Sequence, residues 1–279
     1  MEAVAISIES SSAQHTGFST RTTKVNMTRS VVVCFFVVVT TLVPSRLKAQ
    51  TAAPDARSAV PNLSGVWKPD RRTYTLDPAD PLGLKGVNPP MTAWGEAKFK
   101  ANKPAHGANQ TTHPNDPFMR CLPPGVPRIY LEAGYPMQIF HLPDRLIMLF
   151  EYDHFWREIF TDGRGHPKDA DPTWMGNSIG HYEGDTLIVE TTGFNDRSWL
   201  DRVGHPHSEE LKVTERFRRL DQNKLEDNVT IDDPKTYTKP WGGVKTWTLS
   251  PGWELLEDVC LDSGDYQDYQ KESGSTPTP

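Results

Sequence analysis

The sequence predicts a mainly β protein, an antiparallel meander of short strands that closes into a barrel or packs as a sandwich. From Tyr135 onward, short apolar and β-branched runs alternate with turn residues at about the 8–12-residue spacing typical of such folds. Helical spacing is nearly absent from this part of the chain. The chain also holds 24 prolines, and proline ends helices and is excluded from central strands. We therefore expect at most one or two short helices and a long irregular N-terminal wrap before the strands.

The first fifty residues are predicted to be an upstream extension followed by a signal peptide, with Met27 as the expected start. Arg29 precedes an apolar run from Val31 to Val43, and the small residue Ala49 follows. The run is shorter than the roughly 20 residues that span a bilayer, so export fits better than the alternative of a membrane anchor. We expect a periplasmic or secreted protein with no stable membrane span in its mature form.

The mature chain is predicted to be one domain. Residues 51–61 are rich in small residues and form a linker, 62–262 form a single β-rich domain, and 263–279 form a disordered tail. The first strand is expected around Gly65 and Trp67. One short helix is expected in TAWGEAKFKAN, with Thr92 as the N-cap residue and Glu96 in the first turn.

The remaining strands follow in order along the chain. Tight turns are expected at Pro143-Asp144, at Glu183-Gly184-Asp185 and over residues 221–224. The predicted strand segments are MQIFHL, RLIMLFEY, DHFWREIF, NSIGHY, TLIVETT, LKVTERFRRL, LEDNVTI, KTWTL and WELLEDVCL.

Cysteine usage agrees with export. Of three cysteines, Cys34 lies in the signal segment, which leaves Cys121 and Cys260 in the mature chain. An even pair in an exported protein predicts a disulfide, although two buried free thiols are the alternative.

Charge and motifs exclude several classes. The formal net charge is −6, whereas nucleic-acid binding needs clustered Lys and Arg, so no nucleic-acid partner is expected. The chain has no Gly-x-Ser-x-Gly elbow, no phosphate-binding loop and no cysteine cluster for zinc. No organic cofactor is predicted, and the expected partner is a small-molecule ligand or substrate.

Strand alternation selects the first group of candidate site residues. If RLIMLFEYDHFWREIF is one continuous strand, Glu151 and Arg157 share an apolar face, and Glu215 shares one with Val213 and Phe217. Ionised groups are costly to bury unless paired, so these residues and Glu190 are expected to form one buried polar cluster. Two interpretations stay open: a ligand cavity in which Arg157 grips the ligand and a glutamate acts as base, or an internal ladder of salt bridges.

Histidines form the second group. His166, His181, His205 and His207 lie in or beside the polar block of residues 162–210, and His154 lies on a predicted strand. The segment GHPH, with Asp201 upstream, could present His205 and His207 to a divalent metal. General acid/base roles and plain loop hydrogen bonds are the alternatives.

The segment DGRGHP and the tryptophans form the third group. Asp162, Arg164 and His166 could orient a substrate at a rim, or they could only cap a turn and pair with neighbours. Trp156, Trp174 and Trp199 could stack on a flat or sugar-like ligand, or they could plug the end of a barrel. The candidate catalytic residues are Glu215, Glu190, Glu151, His166 and His154, and the candidate substrate-binding residues are Arg157, Arg164, Trp174, Trp156 and Ser178.

Two resemblances rest on these motifs. The opening PNLSGVW resembles the Gly-x-Trp start of lipocalin-like (calycin) barrels. The blocks IFTDGRGHP, WMGNSIGHYEGDTLIVETTGFND and GHPHSEELKVTERF resemble a family of exported bacterial proteins of undefined activity, over roughly residues 61–262. The second resemblance implies a lipocalin-like β-architecture and assigns no catalytic residue.

Three functions follow as expectations. Crowded ionisable groups favour an exported enzyme that performs cofactor-free acid/base chemistry of the hydrolase, lyase or isomerase type. The barrel opening and two apolar sheet faces favour a lipocalin-like binding or carrier protein. A structural envelope protein would need an exposed apolar patch or a repeat, and the sequence displays neither.

Overall fold

The protein forms a closed barrel of nine strands arranged in sequence order. The computed structural model describes residues 60–131 and 134–260, which all belong to one compact unit. The predicted signal segment, nearly all of the linker and the predicted tail lie outside the described residues. Within the described ranges, no helix is long and apolar enough to cross a membrane.

The strands are short, as expected for a barrel of this kind. Their bounds are β1 Gly65–Pro69, β2 Met137–His141, β3 Arg145–Phe150, β4 Trp156–Phe160, β5 Asn177–Glu183, β6 Thr186–Thr192, β7 Lys212–Arg219, β8 Lys224–Asp232 and β9 Trp241–Leu249. Sequential neighbours pair antiparallel, and β9 pairs with β1 to close the barrel. The exception is β4 with β5, which run parallel and pair over only two residues, Ile159 with Ser178 and Phe160 with Ile179.

The predicted last strand, WELLEDVCL, does not form. Residues 253–260 instead run as an irregular arm against the turn after β3, where Leu256 N donates to Glu151 Oε2 at 3.0 Å. The pairing of β9 with β1 leaves the sheet no free edge to accept a further strand. The disulfide Cys121–Cys260, with Cα atoms 5.5 Å apart, fastens the end of this arm to the N-terminal wrap and confirms the predicted pairing.

Two local predictions are confirmed. The helix α1 spans Ala93–Ala101, and its N-cap residue Thr92 accepts a hydrogen bond from Gly95 N at 3.1 Å. The turn between β5 and β6 places Gly184 at φ +63°, a left-handed conformation that favours glycine.

Part of the N-terminal wrap enters the barrel. Residues Arg128–Leu131 form a short 3₁₀ turn that is buried throughout. The ring of Tyr130 packs edge-on against Trp247 and Phe217, with centroids 5.5 and 6.3 Å away, and both of those residues point inward from their strands. The interior is therefore filled by side chains at this level, as expected for small barrels.

The alternation of side chains breaks between β3 and β4. A 3₁₀ turn at Tyr152–His154 separates the two strands, and Asp153 and His154 take positive φ there. In β3 the inward residues are even-numbered, such as Met148, whereas in β4 they are odd-numbered, such as Arg157. Carrying one alternation from RLIMLFEY into DHFWREIF, which put Glu151 and Arg157 on one face, was therefore wrong.

Candidate functional site

Five consecutive strands each place one polar side chain inside the barrel. These residues are Arg157 of β4, Ser178 of β5, Thr191 of β6, Glu215 of β7 and Asp227 of β8, and all are buried. Each lies on the inward face of its strand, as Asp227 does between the buried apolar residues Leu225 and Val229. Together with Tyr130 they form one cluster, which we call the interior polar cluster.

Arg157 is the centre of this cluster. Its Nη2 donates to Glu215 Oε2 at 2.5 Å and its Nη1 to Glu215 Oε1 at 2.9 Å, so the two side chains form a bidentate pair. Nε donates to Ser178 at 3.0 Å, Nη2 to Thr191 at 2.8 Å, and Nη1 also to the Tyr130 hydroxyl. A guanidinium has five N–H donors, and here all five bind protein atoms. Arg157 therefore holds strands together and has no donor left to grip a ligand.

Burial and neighbouring charges shift the pKa values of three members of this cluster. Burial would lower the pKa of Arg157, but the charges of Glu215, Tyr130 and Asp227 and the hydrogen bonds to Glu215 together outweigh burial, and the pKa is raised. Burial holds the pKa of Tyr130 well above its usual value. Asp227 is the unusual member: burial, reinforced by the charge of Glu215, raises its pKa well above the ordinary value.

Asp227 is also only partly bonded. Its Oδ1 accepts from Arg216 N at 3.1 Å, whereas its Oδ2 is buried without a hydrogen-bond partner among the described residues. A protonated carboxyl group is the form that this environment favours, because neutralisation removes the cost of burying a charge.

The other two predicted acids lie elsewhere. Glu151 is buried, but it precedes the 3₁₀ turn and accepts from the C-terminal arm, so it stands apart from Arg157. Glu190 lies on the outer face of β6, 3.3 Å from His166 Nε2 and 3.7 Å from Lys212 Nζ. The predicted four-residue cluster is thus correct for Arg157 and Glu215 and wrong for Glu151 and Glu190. Glu151 is separated from the cluster because the alternation of side chains changes between β3 and β4. Glu190 is separated because it lies on the outward face of β6.

The predicted histidines do not converge. His154 is exposed in the turn before β4. His166 is half-buried beside the start of β5, where its Nδ1 lies 3.1 Å from Asn177 Oδ1. No group of three or more His, Cys, Asp or Glu residues in the described part of the chain is placed to hold a metal ion.

His205 and His207 are buried with their ring nitrogens engaged, which argues against the metal hypothesis for them. His205 Nδ1 lies 2.5 Å from Asp201 Oδ2 and its Nε2 lies 2.9 Å from Asn88 Oδ1. His207 Nε2 lies 2.9 Å from Ser198 Oγ and its Nδ1 lies 3.1 Å from the Ser208 carbonyl oxygen. Burial lowers the pKa of His207.

A cleft opens where the parallel pairing of β4 and β5 stops. It has a volume of about 400 Å³, within the range of small-molecule sites. Arg157 and Ser178 of the interior polar cluster and Asn177 lie along it. Its apolar lining comes from Pro123, Phe155, Trp156, Phe160 and Met175. We call this site the β4–β5 cleft.

The other three predicted substrate-binding residues, Arg164, Trp156 and Trp174, lie in or beside this cleft. Arg164 forms an ion pair with Asp162 at 2.5 Å and packs over the ring of Phe160, with its guanidinium carbon 3.8 Å from the centroid. Trp156 is 60 % exposed although it lines the cleft, so it does not plug the barrel. Trp174 is half-buried next to the cleft residue Thr173.

Sequence reasoning missed three members of the interior polar cluster: Tyr130, Thr191 and Asp227. Asp227 had a usable signal, because it alternates with Leu225, Val229 and Ile231 in the same way that Glu215 alternates with its neighbours. Tyr130 had none, since the wrap that carries it has no periodicity.

Comparisons with known proteins assign neither a family nor a function to this chain. No protein-family model matches the chain, and neither a curated protein nor a solved structure matches it at a significant level.

Proposed function

We propose that this protein is an exported binding protein that takes a small organic molecule with a planar apolar body into the β4–β5 cleft. The observation that carries the proposal is the cleft itself, in which apolar and aromatic walls meet a polar floor at Asn177 and Ser178. Such a mixture fixes the orientation of a ligand while its apolar body supplies most of the affinity. Export is inferred from the signal-like segment and agrees with the disulfide.

Binding fits the cleft better than catalysis does. Arg157 has all five donors bound to protein, and the carboxylate of Glu215 is held by that guanidinium. Glu158, the acid of the cleft lining, is paired with Arg145 at 2.6 Å, so the cleft offers hydrogen-bonding groups and its carboxylate is not a free general base. Trp156 supplies a flat, accessible surface on which a planar ligand stacks.

The test is a ligand search followed by matched variants. Native mass spectrometry of protein prepared from an exporting host identifies the bound molecule, and its affinity is then measured by calorimetry. Trp156→Ala should weaken binding about fivefold, since loss of an aromatic stack is worth about 1 kcal/mol. Thr173→Trp, at an exposed position of the cleft lining, should block binding.

Trp253→Ala is the matched control, because Trp253 is 40 % exposed and lies outside the cleft. This variant should bind as the parent does. Unchanged affinity in both Trp156→Ala and Thr173→Trp would rule out the cleft as the binding site.

A second candidate function is acid/base catalysis of the hydrolase, lyase or isomerase type inside the barrel. The observation that favours it is Asp227, a buried carboxyl group with a raised pKa and one oxygen without a described partner. Raised carboxyl pKa values are frequent in catalytic acids. Turnover by the parent that is lost in Asp227→Asn, with folding retained, would favour this function over simple binding.

A further inference from the structure

A second pocket lies between α1 and the segment that precedes it. It has a volume of about 700 Å³ and its lining includes Asn88, Pro90, Phe99 and Lys103. It shares no lining residue with the β4–β5 cleft. What occupies it is therefore a question independent of the function proposed above.

A buried histidine–aspartate pair, His205 and Asp201, lies beside this pocket. His205 is 1 % exposed, and Asp201, which is fully buried, accepts from the backbone N–H groups of Val203 and His205 at 3.1 Å each. These bonds hold the carboxylate in place, so its Oδ2 fixes the imidazole through Nδ1. Phe99 stacks on the ring at 5.1 Å and Trp241 meets it edge-on at 5.5 Å. The imidazole is thus covered on its face and at its Nδ1 side.

Asn88 connects Nε2 of His205 to the pocket. Asn88 is exposed, lines the pocket, and places its Oδ1 2.9 Å from Nε2. Because the Asn88 amide oxygen only accepts, this contact requires Nε2 to donate, and Nε2–H is the group that a ligand oxygen in the pocket would meet. Displacement of one exposed amide side chain would give a ligand oxygen the same position.

The charge and shape of the lining indicate the class of ligand. Lys100 and Lys103 both lie along the pocket, against one acid, Glu96. Pro90, Met91 and Phe99 supply apolar surface. A small organic acid with a planar apolar body matches both features, with its carboxylate near the lysines and against Nε2.

We propose that this pocket is a binding site for a small aromatic carboxylic acid, with the Asp201-oriented imidazole of His205 as its buried polar anchor and the Asn88 amide as a displaceable cap. Benzoate, the simplest such acid, is the probe, and benzamide is its uncharged counterpart. Binding is followed by the ¹⁵N and ¹H signals of the histidine rings in the labelled full chain, assigned with His205→Gln.

Benzoate should shift the ring signals of His205 in a saturable way and leave those of His207 unchanged. Asn88→Ala removes the cap and should tighten benzoate binding at least threefold. Asn228→Ala is the matched control, because Asn228 is an exposed asparagine outside this lining, and it should bind benzoate as the parent does.

Lys103→Ala should weaken binding at least threefold, whereas Lys98→Ala, in α1 but outside the lining, should not. Benzamide should bind more weakly than benzoate. The proposal is overturned if benzoate at up to about 10 mM leaves the His205 signals unmoved in Asn88→Ala, or if the shifts survive Lys103→Ala undiminished.

Discussion

Arg157 and Glu215 form a bidentate ion pair inside the barrel, with Nη2 and Oε2 2.5 Å apart and side chains that are 2 % and 0 % exposed. They lie on strands that are not neighbours, β4 and β7, so the pair joins opposite parts of the closed sheet. Ser178 and Thr191 of the intervening strands bond to the same guanidinium and to each other, at 3.0 Å between their hydroxyl oxygens. Of the two interpretations of the buried charges, this geometry favours the internal ladder of salt bridges.

The first prediction concerns this ion pair. Glu215→Gln leaves a buried guanidinium without its countercharge, which should cost about 3–5 kcal/mol of unfolding free energy in urea titrations. Glu183→Gln is the control: it removes a glutamate of an exposed pair with Arg216, and the loss should stay below about 1 kcal/mol. The double variant Arg157→Met with Glu215→Leu should be more stable than Glu215→Gln, because it buries no unpaired charge. A loss below about 1 kcal/mol in Glu215→Gln would contradict the structural role of the pair.

The second prediction concerns Asp227. Its pKa is raised in the folded state by burial, so between the unfolded value and the folded value the native protein binds more protons than the unfolded chain. Stability should therefore fall as pH rises through that range. Asp227→Asn keeps the shape without an ionisable group, so its stability relative to the parent should be greater at pH 7 than at pH 4. Urea titrations at the two pH values measure the difference, and a difference that does not change with pH would contradict the raised pKa.

The barrel could be predicted from the sequence because its strands show a periodic alternation of side chains. Alternation within β7 correctly placed Glu215 inside and Arg216 outside, and turn residues such as Gly184 marked where strands end. The same rule failed across β3 and β4, because a three-residue 3₁₀ turn shifted the parity and separated Glu151 from Arg157. Alternation is informative only within one strand, and the residues EYDHFW contain no clear signal for the end of β3 or the start of β4.

The candidate site was less accessible to sequence reasoning because it depends on contacts between distant segments. Tyr130 reaches the interior polar cluster from an irregular wrap, and the β4–β5 cleft exists only because two sequential strands run parallel. Asn88 meets His205 across 117 positions of the chain. Local sequence patterns do not show which distant segments will meet in the fold. They did identify Arg157 and Glu215 as buried charges and the two cysteines as a disulfide pair.

The third prediction concerns acid stability. Burial lowers the pKa of His207, which stays neutral in the fold while the unfolded chain takes up a proton near pH 6.5. Stability that depends on neutral His207 is present above pH 6.5 and is lost as pH falls toward the folded pKa, by at most about 1.4 kcal/mol per pH unit. His207→Gln should be less stable at pH 7 and should lose less stability on acidification than the parent. His181→Gln, an exposed control, should follow the parent, and an equal acid response in His207→Gln would contradict the assignment.

The fourth prediction concerns Lys245. Burial lowers its pKa to about 8, and its Nζ donates to Arg71 O at 3.0 Å and to Thr73 Oγ1 at 2.9 Å. Between about pH 8 and the unfolded value of 10.5, the unfolded chain binds more protons than the native protein, so this residue makes stability rise with pH there. Relative to Lys245→Met, the parent should therefore gain up to about 3 kcal/mol from pH 7.5 to pH 10. The exposed control Lys239→Met should give a difference that is flat with pH, and a flat difference for Lys245→Met would mean that its pKa is ordinary.

The fifth prediction concerns the disulfide. Cys121 and Cys260 are 139 positions apart, so their bond closes nearly the whole barrel into one loop, and the chain-entropy model gives an upper limit of about 5 kcal/mol for it. The arm that carries Cys260 has bonds of its own, from Leu256 N to Glu151 and from Cys260 N to Asp153, so it should stay docked at low denaturant after the bond is cut. We expect the Cys121→Ser, Cys260→Ser double variant to unfold cooperatively at a lower urea concentration, about 2–4 kcal/mol less stable. Dithiothreitol should bring the parent to the same midpoint and leave the variant unchanged. A variant that unfolds within about 1 kcal/mol of the parent would show that the wrap and arm hold together through packing and hydrogen bonds, because the covalent link would then add little.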